Sequence, residues 1–149
     1  MSEFAVYSSL FLSAFSAATL LPGSSEALLT GFVATKQGAA ALLLTVATIG
    51  NVAGSVVNWG LGRFFIHYRD RKWFPVSEQG YRQAVRWYER FGIWTLLLAW
   101  LPIVGDPLTV IAGALRARFL LFLLLVSIGK FGRYLFIVAV TVSWFDQAG

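Results

Sequence analysis

Two long apolar runs constrain the fold of this chain more than any other feature. Residues 38–62 and 119–145 are almost continuously apolar, and each run is at least 25 residues long. At 1.5 Å of rise per residue, helices of that length cross a hydrocarbon core that is about 30 Å thick. The sequence therefore predicts two full transmembrane spans.

The composition supports a membrane protein and excludes several other classes. Of the 149 residues, 58% are hydrophobic and 13% are charged, whereas soluble domains average about 45–50% apolar and about 25% charged residues. The chain has no cysteine and one histidine, which excludes a disulfide framework and thiolate or multi-histidine metal sites. We therefore expect no metal and no cofactor. Because none of the common catalytic motifs is present either, we do not expect an enzyme.

The basic residues are concentrated in one segment between the apolar runs. Seven of the twelve lysines and arginines lie between Arg63 and Arg90, and the net charge is +5. This pattern is typical of a cytoplasmic membrane loop, here residues 63–92, and differs from the basic face of a soluble nucleic-acid-binding protein. We therefore expect a multi-pass membrane protein and no nucleic-acid partner.

The remaining apolar stretches are interrupted and predict two re-entrant helical hairpins, at about residues 4–35 and 93–115. Irregular backbone survives at membrane depth only where it packs in protein or lines a wet cavity. The interruptions consist of proline and glycine residues: Pro22, Gly23, Pro102, Gly105 and Pro107.

The two halves of the chain resemble each other. Pro22 precedes Glu26 by four residues, as Pro102 precedes Asp106, and residues 48–51 match residues 127–130 at an almost equal offset. Paired, interrupted apolar segments are typical of transporters with inverted repeats. We predict one all-α membrane domain, residues 1–149, with halves 1–62 and 93–149 joined by the basic loop.

Positive charge predicts the orientation of these segments. With residues 63–92 in the cytoplasm, the first hairpin enters from outside and the second enters from the cytoplasm, returning Arg116 and Arg118 to that side. A plain four-span arrangement would export Arg116 and Arg118 and fits the distribution of basic residues less well. It stays open as an alternative.

Two acidic residues in the interruptions are candidates for function. Glu26 and Asp106 each stand where a helix is expected to begin, so either carboxylate could simply cap a helix. An intramembrane carboxylate is costly and usually functional, as a proton or cation site. Both interpretations stay open.

Lys130 and Arg133 lie near the middle of the last span. Buried cations need partners, so either they pair with the two acids or they bind an anionic headgroup. Arg133 suits a phosphate best because its guanidinium is a planar fork. Backbone N–H groups of Ser24 and Ser25 could join the same anion, and Asn51 could supply a neutral polar partner. We assign these five residues, together with Glu26 and Asp106, to a lipid or ion path.

Two further patterns predict helix contacts. The four-residue spacing of Gly50 and Gly54 favours close helix packing. A short amphipathic helix is expected from Ser77 to Phe91, with Arg82, Arg86 and Arg90 along one side facing anionic lipid.

At several of these positions the chain resembles the DedA family, also called the VTT or SNARE-associated membrane family, and in particular its short YqaA-like bacterial members. The matching segments cover most of the chain: residues 22–26, 50–54, 58–63 and 100–109, with Ala112, Gly113 and Arg116. The resemblance implies opposed re-entrant hairpins in the bacterial inner membrane. It also implies movement of undecaprenyl phosphate or phospholipid, with Glu26 as the hairpin carboxylate.

The chain departs from longer members of that family at the second hairpin, where it has Ala99 and Gly105 in place of arginines. We hypothesise that Lys130 and Arg133 supply the positive charge instead. The prediction is a lipid transporter or scramblase whose partners are anionic membrane lipids, and two spans per chain favour a homodimer. A proton- or cation-coupled carrier of small solutes and a non-transporting assembly partner are the alternatives.

Overall fold

The computed structural model describes residues 2–19, 24–65, 67, 77–99 and 105–148. Within these residues every regular element is helical and no strand occurs, which confirms the all-α prediction. In chain order the elements are α1 (Glu3–Thr19), α2 (Ser24–Ala34), α3 (Ala40–Phe65), α4 (Glu78–Phe91), a 3₁₀ helix (Gly92–Leu98), α5 (Gly105–Ala114) and α6 (Phe119–Ala148).

Helices α3 and α6 are the two candidate membrane spans. The apolar segments Ala40–Phe65 and Phe119–Trp144 are each 26 residues long, which is enough to cross a bilayer by length and composition. They coincide with the spans predicted at residues 38–62 and 119–145, because an apolar run of this length has little alternative to a continuous helix in lipid.

The interrupted stretches form shorter helices. Helix α2 has 11 residues, the 3₁₀ helix 7 and α5 10, so each of the three is about 14–16 Å long and too short to cross alone. Helix α1 has 17 residues and spans about 26 Å, near the lower limit for crossing. The predicted breaks at Pro22, Gly23 and Pro102 lie outside the described residues. Gly105 and Pro107 belong to the first turn of α5, where a proline costs no helical hydrogen bond.

Two apolar clusters hold the helices together. The first joins α1 and α2 to the beginning of α3 and the second half of α6, through Val6, Leu10, Ala14, Leu29, Phe32, Leu43, Leu44, Ala47, Tyr134 and Val138. The second joins the 3₁₀ helix and α5 to the first half of α6 and the end of α3, through Leu96, Ala99, Ala112, Phe122, Leu125 and Val126 with Val56 and Trp59. Helices α3 and α6 are therefore antiparallel and contact both sets of short helices.

Glycines allow the short helices to approach α3 closely. A Cβ atom at Gly50 would come within 2.7 Å of the carbonyl oxygen of Phe11 in α1. A Cβ atom at Gly62 would overlap the carbonyl oxygen of Val110 in α5. Gly54 is also buried on α3. The sequence predicted close packing at Gly50 and Gly54, and the tighter crossing, between α3 and α5, lies at Gly62 and Gly113.

Helix α4 begins where the sequence predicted. The Ser77 side chain accepts a hydrogen bond from the Gly80 backbone N–H at 3.1 Å and thereby caps the helix. Its apolar side packs on protein, because Ala84 lies in one cluster with Leu108 and Ile111 of α5. The three predicted lipid-surface arginines, Arg82, Arg86 and Arg90, are exposed on the other side. Helix α5 therefore packs on the apolar side of α4, and the basic side stays exposed.

Large apolar side chains cover the outer surface of α6. They recur along its whole length and have few neighbours within the chain: Leu120, Leu124, Ile128, Phe131, Leu135, Phe136, Val140 and Trp144 are all exposed. An uninterrupted apolar surface of this kind suits contact with hydrocarbon. By contrast, Lys130, Tyr134 and Thr141 of α6 are buried.

Candidate functional site: a charge cluster at the middle of α6

Two ion pairs join α2 and α5 to the middle of α6. The Lys130 Nζ atom lies 3.2 Å from Asp106 Oδ1, and it donates a hydrogen bond to that oxygen. The Arg133 Nη2 atom lies 2.5 Å from Glu26 Oε1. The structure thus brings together the four charged residues that the sequence assigned to the path.

The local structure explains why these side chains meet. Residues three apart on a helix share a face, so α6 presents Lys130 and Arg133 to the same side. Glu26 lies in the first turn of α2 and Asp106 in the first turn of α5, where the positive end of the helix dipole favours a carboxylate. The two N-termini therefore reach the same turn of α6 from opposite halves of the chain.

Burial differs within the cluster. The Lys130 side chain is 4% exposed, whereas Glu26, Asp106 and Arg133 are each about a quarter exposed. Lys130 lies about 16 Å along α6, close to the centre of the predicted span. Lys130 is therefore enclosed by protein, while the other three side chains reach the surface of the cluster.

The two ion pairs form one electrostatic unit. Asp106 interacts with Arg133 and Glu26 as well as with Lys130, and the two carboxylates balance the two cations. Moving an ionised side chain out of water costs roughly several kcal/mol of free energy unless an ion-pair partner and hydrogen bonds compensate for the lost hydration. Pairing thus accounts for how Lys130 is tolerated at this depth, and the sequence had left pairing open beside anion binding.

A hydrogen bond that the sequence did not predict adjoins the cluster. The hydroxyl groups of Ser25 and Tyr134 lie 2.8 Å apart, and both residues are buried. It ties α2 to α6 one residue after Arg133. A tyrosine inside an apolar span usually has a hydrogen-bond partner, so Tyr134 carried a usable signal. Ser24, the other predicted anion ligand, is the first residue of α2.

Asn51 is placed in a helix contact. Its side-chain Nδ2 donates a hydrogen bond to the carbonyl oxygen of Ala14 at 2.8 Å. The bond ties α3 to α1 one residue beyond the close approach at Gly50. Asn51, which matches Lys130 in the register of the two halves, was predicted as a neutral polar partner in the path, and its amide bonds to α1 in the structure.

The cations of the cluster can exchange one anionic partner for another, and its described residues form no metal site. Among the described residues, no group of three or more His, Cys, Asp or Glu side chains lies close enough to hold a metal ion. A guanidinium paired with one carboxylate can exchange that carboxylate for a phosphate, since both anions match its planar fork. Proton uptake by either carboxylate would also loosen its pair.

Comparisons with known proteins identify relatives over nearly the whole chain. The sequence pattern of the VTT domain matches residues 21–143. Inner membrane protein YqaA of Escherichia coli strain K12 is 38% identical over 143 residues, which is 96% of both chains, and the protein of that name from Shigella flexneri gives the same values. An uncharacterized protein of Haemophilus influenzae is 37% identical over 135 residues, covering 84% of this chain and 80% of the relative. No solved structure matches.

Proposed function

The chain belongs to the VTT domain family, also called the DedA family, and from this premise we propose that it moves lipid across the bacterial inner membrane. The proposed substrate is undecaprenyl phosphate or a phospholipid, carried as a transporter or a scramblase. The relatives named as inner membrane proteins support the location. The proposed activity makes and breaks no covalent bond.

The observation that carries the proposal is the pair of ion bridges at the middle of α6. They hold charge at a depth where a span needs none for stability, since well-packed apolar residues of similar volume serve as well or better. Glu26–Arg133 and Asp106–Lys130 each cross between helices. An anionic headgroup crossing the bilayer needs polar partners at this depth.

We propose that α1 and α2 form a re-entrant hairpin from outside, and that the 3₁₀ helix and α5 form one from the cytoplasm. The halves then make an inverted repeat, with loop 63–92 in the cytoplasm. Its support is the matching place of Glu26 and Asp106 in the first turns of α2 and α5. The headgroup passes between the hairpins while its chains stay in lipid, and a homodimer completes the wall of this path.

In the proposed step, a phosphate displaces the Glu26 carboxylate from Arg133. The guanidinium accepts either anion through parallel N–H donors, so the exchange keeps the cation paired throughout. The pair re-forms when the headgroup leaves. The apolar outer side of α6 remains in contact with hydrocarbon.

The test is lipid movement in vesicles containing the purified protein. Fluorescent phospholipid and undecaprenyl phosphate are assayed separately, with wild type, Glu26→Gln and Arg133→Ala. We expect transport to fall by about tenfold or more in both variants, because each removes one side of a charge pair. Glu78→Gln is the matched control: it breaks the exposed Glu78–Arg82 pair at 2.9 Å and leaves transport unchanged.

Two results would overturn the proposal. One is an absence of lipid movement in correctly folded wild type, with or without a pH gradient. The other is equal loss of transport in Glu78→Gln and Glu26→Gln. Gradient-driven uptake of a small solute without lipid movement would instead identify a coupled carrier.

A further inference from the structure

A pocket opens beside the charge cluster, between the 3₁₀ helix and α6. Its volume is about 440 Å³, within the range of about 300–1,000 Å³ usual for ligand sites. Six described residues line it: Leu97, Ile128, Gly129, Gly132, Arg133 and Phe136. Among these six residues only Arg133, which pairs with Glu26, is charged, and the wall is almost wholly apolar.

Gly132 leaves space that no described residue fills. A Cβ atom there would meet no other atom within 4 Å, whereas a Cβ atom at Gly50 or Gly62 would strike a neighbouring backbone. Glycine inside a helix costs roughly 1 kcal/mol relative to alanine. Because no described neighbour requires a small residue at Gly132, the open space belongs to the pocket.

Charge and depth together define what fits the pocket. Among its described lining residues Arg133 alone is charged, and its side chain is 24% exposed. Arginine recognises phosphate through a planar fork of N–H donors. The remaining wall suits hydrocarbon, and Ile128 and Phe136 continue outward onto the exposed side of α6. A matching ligand has an apolar chain next to a phosphate.

We propose that this pocket binds one acyl chain of an anionic phospholipid, with the phosphate at Arg133. The inference rests on the proposed function and deepens it, since it assigns the place where a lipid in transit is held. The phosphate lies where Arg133 meets Glu26, and the chain lies along Gly132 between Leu97 and Phe136. The pocket opens towards the bilayer, so the chain enters without leaving hydrocarbon.

Photo-crosslinking tests this directly. The full chain is placed in vesicles containing phosphatidylglycerol with a diazirine on one acyl chain, illuminated, and mapped by mass spectrometry. We expect adducts at Leu97, Ile128 and Phe136. Gly132→Leu should lower their yield by about tenfold, since a side chain that fills an apolar pocket excludes its ligand. The matched control is Gly31→Leu, an exposed glycine of α2 that also has open space at its Cβ position.

A second arm uses wild type alone and decides the question if Gly132→Leu does not fold. Excess unlabelled phosphatidylglycerol should compete for the adducts, and diacylglycerol should compete about tenfold less well, because it has the same acyl chains but no phosphate for Arg133 to bind.

Four results would overturn the pocket: adducts of equal yield at Leu120 and Val140, yields unchanged by Gly132→Leu, equal competition by both lipids, or crosslinks to a second copy of the chain in place of lipid. The outcome is separable from that of the proposed function. Adducts confined to the pocket without lipid movement would support the site and reject transport. Lipid movement with adducts spread evenly along the chain would support transport and reject the site.

Discussion

At the scale of single residues, burial decides how much the protein's stability depends on the ion pair of Lys130. The side chain is almost fully enclosed, and its ammonium group donates to Asp106. By contrast, Arg82 and Glu78 form a pair with both side chains mostly exposed to the surroundings. Enclosed charges depend on their partner for solvation, whereas exposed pairs contribute about 0–1 kcal/mol. The same kind of bond therefore has different consequences at the two sites.

We predict that Asp106→Asn destabilises the protein and that adding Lys130→Met restores stability. The first change leaves an enclosed ammonium without its carboxylate, which costs about 3 kcal/mol, whereas the double variant also removes that enclosed charge. The measurement is equilibrium unfolding in mixed detergent micelles, followed by circular dichroism.

Glu78→Gln serves as the reference for losing an exposed pair, with a change within about 0.5 kcal/mol. Equal stability of Asp106→Asn and the double variant would show that the pair does not hold α5 to α6.

At the scale of elements, the contact between α3 and α5 depends on the absence of side chains. Gly62 meets the α5 backbone at Val110, and Gly113 meets the α3 backbone at Trp59. Two helices that approach this closely exclude even one methyl group at the contact. The crossing sets the position of α5, and with it the position of Asp106.

We predict that Gly62→Ala destabilises the protein by more than about 2 kcal/mol, since the added methyl group overlaps backbone that cannot move alone. Gly60→Ala is the matched control, because a Cβ atom there meets nothing within 4 Å. The measurement is the thermal unfolding midpoint of the purified protein. If both variants unfolded at the same temperature, the close crossing would be wrong.

At the scale of the whole molecule, each half contributes short helices that lie against the same two long ones. α1 and α2 pack at one end of α3 and α6, and the 3₁₀ helix and α5 pack at the other. Helix α4 covers the outer side of α5. This arrangement places both acidic first turns against the middle of α6. The side of the membrane that each connecting segment reaches can be measured separately.

The chain contains no cysteine, so single cysteines report the topology without background. We predict that Gln37→Cys reacts with an impermeant maleimide from outside, and that Glu89→Cys and Arg118→Cys react only from the cytoplasm. The reason is that the proposed second hairpin would return to the side it entered, in keeping with the distribution of basic residues.

Residue 118 distinguishes the two topologies. In a four-span arrangement Arg118→Cys would react from outside while Glu89→Cys would still react from the cytoplasm. That result would reject the second re-entrant hairpin and leave the helix packing unchanged. The measurement is made on intact cells and on inverted membrane vesicles.

The sequence by itself determined the helical class, the two long spans and the start of α4. Each follows from local information: apolar runs long enough to cross hydrocarbon, and a serine that caps the first turn of a helix. It also singled out Glu26, Asp106, Lys130 and Arg133, because a charge inside an apolar run is costly wherever the run folds.

Only the tertiary structure decided which of these residues meet. No spacing along the chain pairs Glu26 with Arg133, which is 107 positions away, or predicts the bond between Ser25 and Tyr134. The tertiary structure also shows that the Asn51 amide contacts α1 and that α5 packs on the apolar side of α4. The physical reason is that pairing and burial depend on which helix faces pack together. That choice is made by contacts between distant residues, such as the close approach of Gly62 to α5, and not by periodicity within one segment.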